Sequence, residues 1–199
     1  MKQFVLTICI LFQLKGMAQT TSSENPFNHK ILEVSGDLNK DGLPDKAVVT
    51  QDTLSDTSPY RLQVFFKEPT GQFKLMVTST KIIEAEFPDG RDGYRNGSEF
   101  DNVVIKNGVL TVNFQLLRGH YAHKFRFQHG NFELIGFTGA FSNGQGVFET
   151  VDFNLVTGLR IETSERYDID KIISKERKKI VISPLPKLQD VVPMKSEYY

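Results

Sequence analysis

Oxygen-bearing side chains recur at short intervals in one segment of the chain, residues 37–45. Its first, third, fifth and ninth positions are Asp37, Asn39, Asp41 and Asp45. Oxygen atoms at this spacing can converge on one hard cation, and the glycine at the sixth position permits the sharp turn between them. A flexible loop of this kind favours Ca²⁺, because Mg²⁺ demands a tighter octahedron and retains its waters. The spacing therefore predicts a calcium site.

The residues around this segment indicate the kind of loop. The backbone carbonyl of Leu43 would occupy the seventh ligand position, whereas an EF-hand would need glutamate at the twelfth, where Val48 stands. Residues 31–34 before the loop and 47–50 after it have the composition of strands, not of helices. Three carboxylates this close repel one another unless a cation lies between them. We predict a strand-loop-strand calcium site.

The run from residue 35 to residue 50, SGDLNKDGLPDKAVVT, resembles the calcium-binding segment of FG-GAP and VCBS repeats. Such repeats occur in integrin alpha-chain propellers and in many secreted bacterial proteins. The resemblance implies that the ligand positions are Asp37, Asn39, Asp41, Leu43 and Asp45. Those families repeat the unit around a propeller, whereas this chain has one copy and no FG-GAP lead-in. More loosely, the chain is similar to small exported bacterial proteins of unknown function, which implies a fold and no activity.

The same loop has a metal-free interpretation. Asn39 and Asp41 are residue types that satisfy backbone groups within a hairpin turn, and they need no cation to do so. We favour calcium because four oxygen-bearing side chains fall at ligand spacing with glycine in place. A structural role for the ion is preferred over a bridge to a partner, since a cleaved chain would contain no cysteine and so no disulfide.

The histidines and the acidic residues of a second loop are weaker candidates. His120 and His123 lie three residues apart, so on one strand they would face opposite sides, and no cysteine or second histidine pair could complete a zinc site. We predict that both are solvated turn histidines. The acidic candidates for cleaving a glycoside or peptide bond are Asp89, Asp92, Glu99 and Asp101. Arg91 and Arg95 among them favour a self-neutralising polar loop.

The chain reads as successive strands joined by tight turns. Residues 103–105 and 109–112 flank Asn107 and Gly108, and this dipeptide is the strongest short signal for a hairpin. Further hairpins are predicted about residues 68–71, 129–131 and 157–158. The best helical period, over residues 167–179, is short and highly charged. We predict an all-β fold, an antiparallel meander of hairpins arranged as a sandwich or as propeller-blade-like sheets.

Composition and the first residues indicate where the protein acts. The 199 residues carry 24 basic and 24 acidic side chains, a balance that argues against nucleic-acid binding. Residues 4–14 form an apolar run of only 11 residues, whereas a membrane-spanning helix needs about 20. Small residues precede Gln19, as at a signal-peptidase site. The predicted parts are a signal peptide (1–18), a flexible leader (19–30), one β-rich domain (31–183) and a proline-containing tail (184–199).

The predicted function follows from export and from the loops. Two long loops, 87–100 and 138–146, are the expected binding surfaces, since loops on a rigid β scaffold usually carry binding. We expect an exported, calcium-stabilised binding module, periplasmic or extracellular, with a cell-envelope protein or a glycan as partner. The alternative is a small exported hydrolase that uses the acidic residues of the 87–101 loop. No G-x-S-x-G sequence or other catalytic signature supports an enzyme.

Overall fold

The computed structural model describes residues 25–93, 99–166, 168–169 and 171–194. In order, the strands are β1 (His29–Gly36), β2 (Asp45–Gln51), β3 (Tyr60–Lys67), β4 (Phe73–Ser79), β5 (Glu99–Lys106), β6 (Val109–Leu116), β7 (Gly119–Gln128), β8 (Asn131–Ser142), β9 (Val147–Asn154), β10 (Leu159–Arg166) and β11 (Lys171–Lys179). These residues contain no helix, and hence none that could cross a bilayer. The all-β prediction is confirmed.

The strands form two antiparallel sheets. The first has the order β1-β2-β3-β4 and the second the order β11-β10-β9-β8-β7-β6-β5, so each strand pairs with its neighbours in the chain. This is the predicted meander. The sheets adjoin where β1 contacts β5, and their inner faces share one hydrophobic core, as in a sandwich.

Two tight turns of the second sheet confirm the hairpin predictions. Asn107 and Gly108 have φ values of 54° and 75° and connect β5 to β6. His129 and Gly130 have φ values of 51° and 75° and connect β7 to β8. Positive φ at both central residues is the turn whose twist matches that of paired antiparallel strands.

Alternating residues of both sheets fill the core. In β2, Ala47 and Val49 are completely buried, while Val48 between them is partly exposed. Aromatic rings connect the two sheets: the Phe66 ring of β3 lies 4.8 Å from Phe127 and 5.8 Å from Phe132. Burial of such rings is the main source of stability in a chain without a disulfide.

One predicted feature of the second sheet is wrong. Most of the loop predicted at 138–146 is strand, because β8 continues to Ser142 and leaves only residues 143–146 as the connection. The weak helical period of residues 167–179 does not correspond to a helix in the described residues: β11 occupies most of that stretch, which agrees with the all-β prediction. All nine residues of β11 are exposed, so no buried face selects one periodicity over the other.

The segment after β11 packs back onto the second sheet. The Leu134 N–H donates to the Pro186 carbonyl at 2.8 Å, and the Leu188 N–H donates to the Phe132 carbonyl at 2.9 Å. Leu188 is completely buried. Part of the segment predicted as a tail is therefore a component of the core.

The other end of the described chain is fastened to β3. Arg61 donates to the Asn25 side-chain oxygen at 3.2 Å and to the Phe27 carbonyl at 3.4 Å. The Arg61 guanidinium also lies 4.6 Å from the centre of the Phe27 ring. The end of the predicted leader thus contacts the first sheet, while the predicted signal peptide lies outside the described residues.

Candidate metal centre

The 37–45 loop joins β1 to β2 and is anchored at both ends. Leu38 is only 1% exposed and belongs to the core, and Asp45, the first residue of β2, is completely buried. Between them the backbone takes positive φ at Lys40 (66°) and at Gly42 (84°). These left-handed residues fold the segment back on itself, so that its side-chain oxygens meet its own backbone.

The Asp45 carboxylate ties three parts of the first sheet together. Its Oδ2 accepts the N–H groups of Leu38 at 2.8 Å and Asn39 at 3.3 Å. Its Oδ1 accepts the N–H of Lys67, the last residue of β3, at 3.0 Å. A carboxylate can be buried only where such donors replace its water. Asp45 therefore braces the start of the loop against β2 and β3.

The Asp37 carboxylate holds the middle of the loop. Its Oδ1 accepts the Lys40 N–H at 2.6 Å, and its Oδ2 accepts the Gly42 N–H at 2.9 Å. Both donors belong to the residues with positive φ. Asp37 thus stabilises the sharp turn from within, at a position that is partly exposed.

Asn39 and Asp41 continue this pattern toward the exposed tip of the loop. The Asn39 Oδ1 accepts the Asp41 N–H at 3.0 Å, and the Asp41 Oδ1 accepts the Leu43 N–H at 2.8 Å. The Asn39 Nδ2 donates to the Asp41 Oδ2 at 2.8 Å. These two local turns are those that the metal-free interpretation expects.

The donor set and its arrangement give different answers about a cation. All four candidate side chains present carboxylate or carboxamide oxygens, which are the ligand atoms that Ca²⁺ prefers. Yet within the described ranges no three His, Cys, Asp or Glu side chains form a group that could hold a metal. The carboxylates of Asp37, Asp41 and Asp45 face backbone N–H groups, and a cation would have to compete with these donors. The ligand atoms of the loop suit calcium. Its geometry is that of a self-bonded turn, a turn whose side-chain oxygens accept hydrogen bonds from its own backbone and from β3.

The loop also touches the second sheet. A Cβ built on Gly36, just before the loop, would lie 2.5 Å from the Ile105 Cγ2 of β5. A Cβ on Gly108 would lie 3.1 Å from the Lys40 Cε and 3.7 Å from the Leu38 carbonyl oxygen. Glycine at these positions permits the close approach. The loop therefore sits at the junction of the two sheets, against the β5–β6 hairpin.

The acidic 87–100 loop is fastened to a neighbouring loop. The Arg91 N–H donates to the Asp56 Oδ1 at 3.2 Å, and its guanidinium donates to the Ser58 hydroxyl at 3.2 Å. Asp89 and Asp92 are exposed. Residues 94–98 and the Glu99 side chain lie outside the description. Asp101 is exposed as well, so none of the three acidic candidates with described side chains has the burial that would raise the pKa of a catalytic acid.

The two histidines have opposite environments. His120 is exposed, whereas His123 is completely buried on β7, so the prediction of two solvated turn histidines is wrong for His123. The rings around it, with centroid distances, are Phe137 at 5.4 Å, Tyr121 at 5.6 Å, Phe114 at 5.9 Å and Phe125 at 6.5 Å. Burial lowers the pKa of His123 to about 3. The alternation of aromatic residues on either side of His123 was the sequence signal for this burial.

Comparisons of the chain with protein-family models, with curated proteins and with solved structures find no match. The resemblance of residues 35–50 to FG-GAP and VCBS repeats therefore rests on its own motif.

Proposed function

We propose that the protein is an exported β-sandwich that binds Ca²⁺ in the 37–45 loop and serves as a binding module for a cell-envelope protein or a glycan. One observation carries the calcium part. Four oxygen-bearing side chains share a loop whose ends, Leu38 and Asp45, are fixed in the core. The ligands would be the side chains of Asp37, Asn39, Asp41 and Asp45 and the carbonyl of Leu43.

The position of the loop explains what a cation would contribute. Three carboxylates within nine residues repel one another, and backbone N–H groups offset this repulsion only in part. The loop contacts β3 through Asp45 and the β5–β6 hairpin through Lys40. A cation that orders the loop would therefore also stabilise the junction of the two sheets, which is a structural role and not a catalytic one.

The rival account is the metal-free turn. It uses the same side chains, because each of them already accepts at least one hydrogen bond from the loop or from β3. The two accounts differ in one respect only: a cation-binding loop responds to Ca²⁺ in solution, and a self-bonded turn does not.

Calorimetric titration with CaCl₂ separates the two accounts. We expect a dissociation constant of about 0.1–1 mM, as in other extracellular calcium modules. Asp41 is the best residue to replace because it is exposed, so Asp41→Ala leaves the core intact. The control is Asp152→Ala, which removes an exposed carboxylate from β9, outside the loop. Binding lost in the first variant and retained in the second supports the proposal, whereas no heat of binding in wild type contradicts it.

Export is tested separately. We propose that residues 1–18 are a signal peptide, because the apolar run is short and small residues precede Gln19. N-terminal sequencing of protein recovered from the periplasm or medium should start at Gln19. Recovery of only an intact form that begins at Met1, inside the cell, contradicts this part.

A further inference from the structure

The strand β11 forms the outer edge of the seven-stranded sheet. Most of the charged residues of this strand are basic. Its basic residues are Lys171, Lys175, Arg177, Lys178 and Lys179, against one acidic residue, Glu176. All nine residues of the strand are exposed. Since the whole chain has no formal net charge, this edge is a local concentration of positive charge.

Neighbouring carboxylates neutralise only part of this charge. The Lys178 Nζ lies 2.7 Å from Glu162 of β10 and 3.0 Å from Glu176. The hydrogen bond from Lys178, followed by that from Arg160, lowers the pKa of Glu162. In the described part of the chain, neither Lys175 nor Arg177 has a salt bridge or a side-chain hydrogen bond. Two cations at the centre of the edge therefore face solvent.

The register shows which backbone groups the edge leaves open. The Ile180 N–H donates to the Gly158 carbonyl at 2.8 Å, which marks a hydrogen-bonded pair. Bonded and non-bonded pairs alternate along an antiparallel ladder. Arg177 and Lys175, which face Ile161 and Thr163 of β10, therefore belong to non-bonded pairs. Their N–H and C=O groups point away from the sheet.

Lys175 and Arg177 thus combine two kinds of recognition. Their open backbone groups can pair with another strand. Their side chains lie on one face, about 7 Å apart along the strand, which is the repeat of alternate residues in any extended chain. We propose that the β11 edge binds an extended acidic segment of a partner protein as an added strand, with carboxylates at alternate positions opposite Lys175 and Arg177.

The positive charge of the β11 edge favours an acidic strand over a second copy of this chain as the partner. A second copy would place cations opposite cations, which is the device that natural sheets use against edge-to-edge association. An acidic strand reverses that sign and converts repulsion into cross-strand attraction. The strand β4, an edge of the four-stranded sheet, exposes Phe73 and Leu75 and has one charged residue, Lys74, so no comparable charge specifies a partner there. The proposal does not depend on calcium in the 37–45 loop.

The probe is a synthetic eight-residue peptide in which glutamate alternates with threonine. The matched control has glutamine for every glutamate, and inorganic polyphosphate serves as a polyanion without backbone amides. Binding to the full chain is followed by amide NMR shifts at low salt. We expect saturable binding of the glutamate peptide and about tenfold weaker binding of the glutamine peptide, because the glutamine peptide loses the charge pairs with both Lys175 and Arg177.

Two variants at one position separate charge from strand addition. Lys175→Ala removes the charge and keeps the outward N–H, whereas Lys175→Pro removes both and leaves the ladder to β10 intact. We expect Lys175→Ala to weaken glutamate-peptide binding about threefold, a charge-pair effect, and Lys175→Pro to abolish it. Equal affinities of the two variants, or polyphosphate competing as well as the peptide, would overturn strand addition and leave a simple polyanion site.

Hydrogen exchange of wild type tests strand addition without the proline variant, and so does not depend on whether that variant folds. In wild type, the outward N–H groups of Lys175 and Arg177 are open to water and should exchange rapidly. The glutamate peptide should slow their hydrogen exchange, while polyphosphate should not. Unchanged exchange at these two amides under saturating peptide contradicts the proposal.

Discussion

Asp45 and His123 are both completely buried, and the fold accommodates them in opposite ways. Backbone N–H groups from the loop and from β3 surround the Asp45 carboxylate. Aromatic rings surround His123, and burial lowers its pKa to about 3, so the imidazole stays neutral at physiological pH. The hydrogen bonds around Asp45 stabilise its negative charge, whereas the apolar surroundings of His123 disfavour a positive charge on the imidazole. Only the acid belongs to a candidate site for a cation.

The largest expected effect comes from removing the buried acid. Asp45→Ala leaves three backbone N–H groups without their acceptor, one in a buried hydrogen bond and two in partly buried ones; a donor left unsatisfied inside the protein costs about 1–3 kcal/mol. We expect a loss of about 3 kcal/mol or more in the free energy of unfolding, measured by urea denaturation in chelator. The control, Asp41→Ala, removes an exposed acceptor of one backbone N–H and of the Asn39 side-chain amide, and it should lose about 0.5–1.5 kcal/mol. Equal losses of unfolding free energy in Asp45→Ala and Asp41→Ala would contradict the role of Asp45 in holding the loop against β2 and β3.

The turn that touches the loop provides the second test. Gly108→Val forces a branched side chain to φ 75° beside Lys40 and should cost about 1–3 kcal/mol. Gly130 has the same φ of 75° with nothing within 4 Å of its Cβ position. Gly130→Val is therefore the matched control for backbone strain alone. A larger loss in Gly108→Val reports the contact with the loop, and no loss in either variant contradicts the turn assignment.

The third test uses the buried base. The pKa of His123 is about 3 in the folded state, against an ordinary value of 6.5, so between these two values the unfolded chain binds a proton that the folded chain does not. Stability is fully present above pH 6.5 and falls as the pH drops toward 3. Between pH 6.5 and pH 5 the loss should be about 2 kcal/mol.

Replacing the imidazole isolates this contribution. His123→Leu keeps an apolar side chain of similar size in the aromatic surroundings and cannot take up a proton. Its free energy of unfolding should change between pH 7 and pH 5 by about 2 kcal/mol less than that of wild type. His120→Leu, at an exposed position of the same strand, should leave the wild-type pH dependence in place. Parallel curves for wild type and His123→Leu would contradict the neutral assignment.

The strands and turns of the fold were predictable, because their signals are local. Alternating residues and the dipeptide at Asn107 and Gly108 specify a hairpin without reference to the rest of the chain. The end of β8 was not predictable, because residues 138–142 are rich in small residues that sheet neighbours hold in place. The strand β11 had no clear strand signal for a related reason: its residues are all exposed, so no buried face imposes a period of two on the sequence.

Within the candidate site, the sequence predicted the residue types and not their partners. The spacing brings Asp37, Asn39, Asp41 and Asp45 into one loop, as expected. The hydrogen bond from the Lys67 N–H to the Asp45 carboxylate joins residues 22 positions apart. Such a contact exists only after β2 and β3 have paired. His123 shows the same limit, because its aromatic neighbours come from three different strands.

Thermal melts in calcium, magnesium and chelator test the central claim most directly, although the expected effect is the smallest. At 1 mM Ca²⁺, with a dissociation constant of about 0.1–1 mM, the folded state should gain about 0.4–1.4 kcal/mol. For a chain of this size the gain corresponds to a rise of about 1–5 °C in the melting temperature. Magnesium should raise it less. Asp41→Ala should melt alike in calcium and chelator, with Asp41→Asn between it and wild type.

Asp152→Ala is the control and should keep the full calcium response. The account predicts that calcium raises the melting temperature of wild type and of Asp152→Ala but not of Asp41→Ala. If wild type melts at the same temperature in calcium and in chelator, the 37–45 loop is a self-bonded turn and the calcium proposal is wrong.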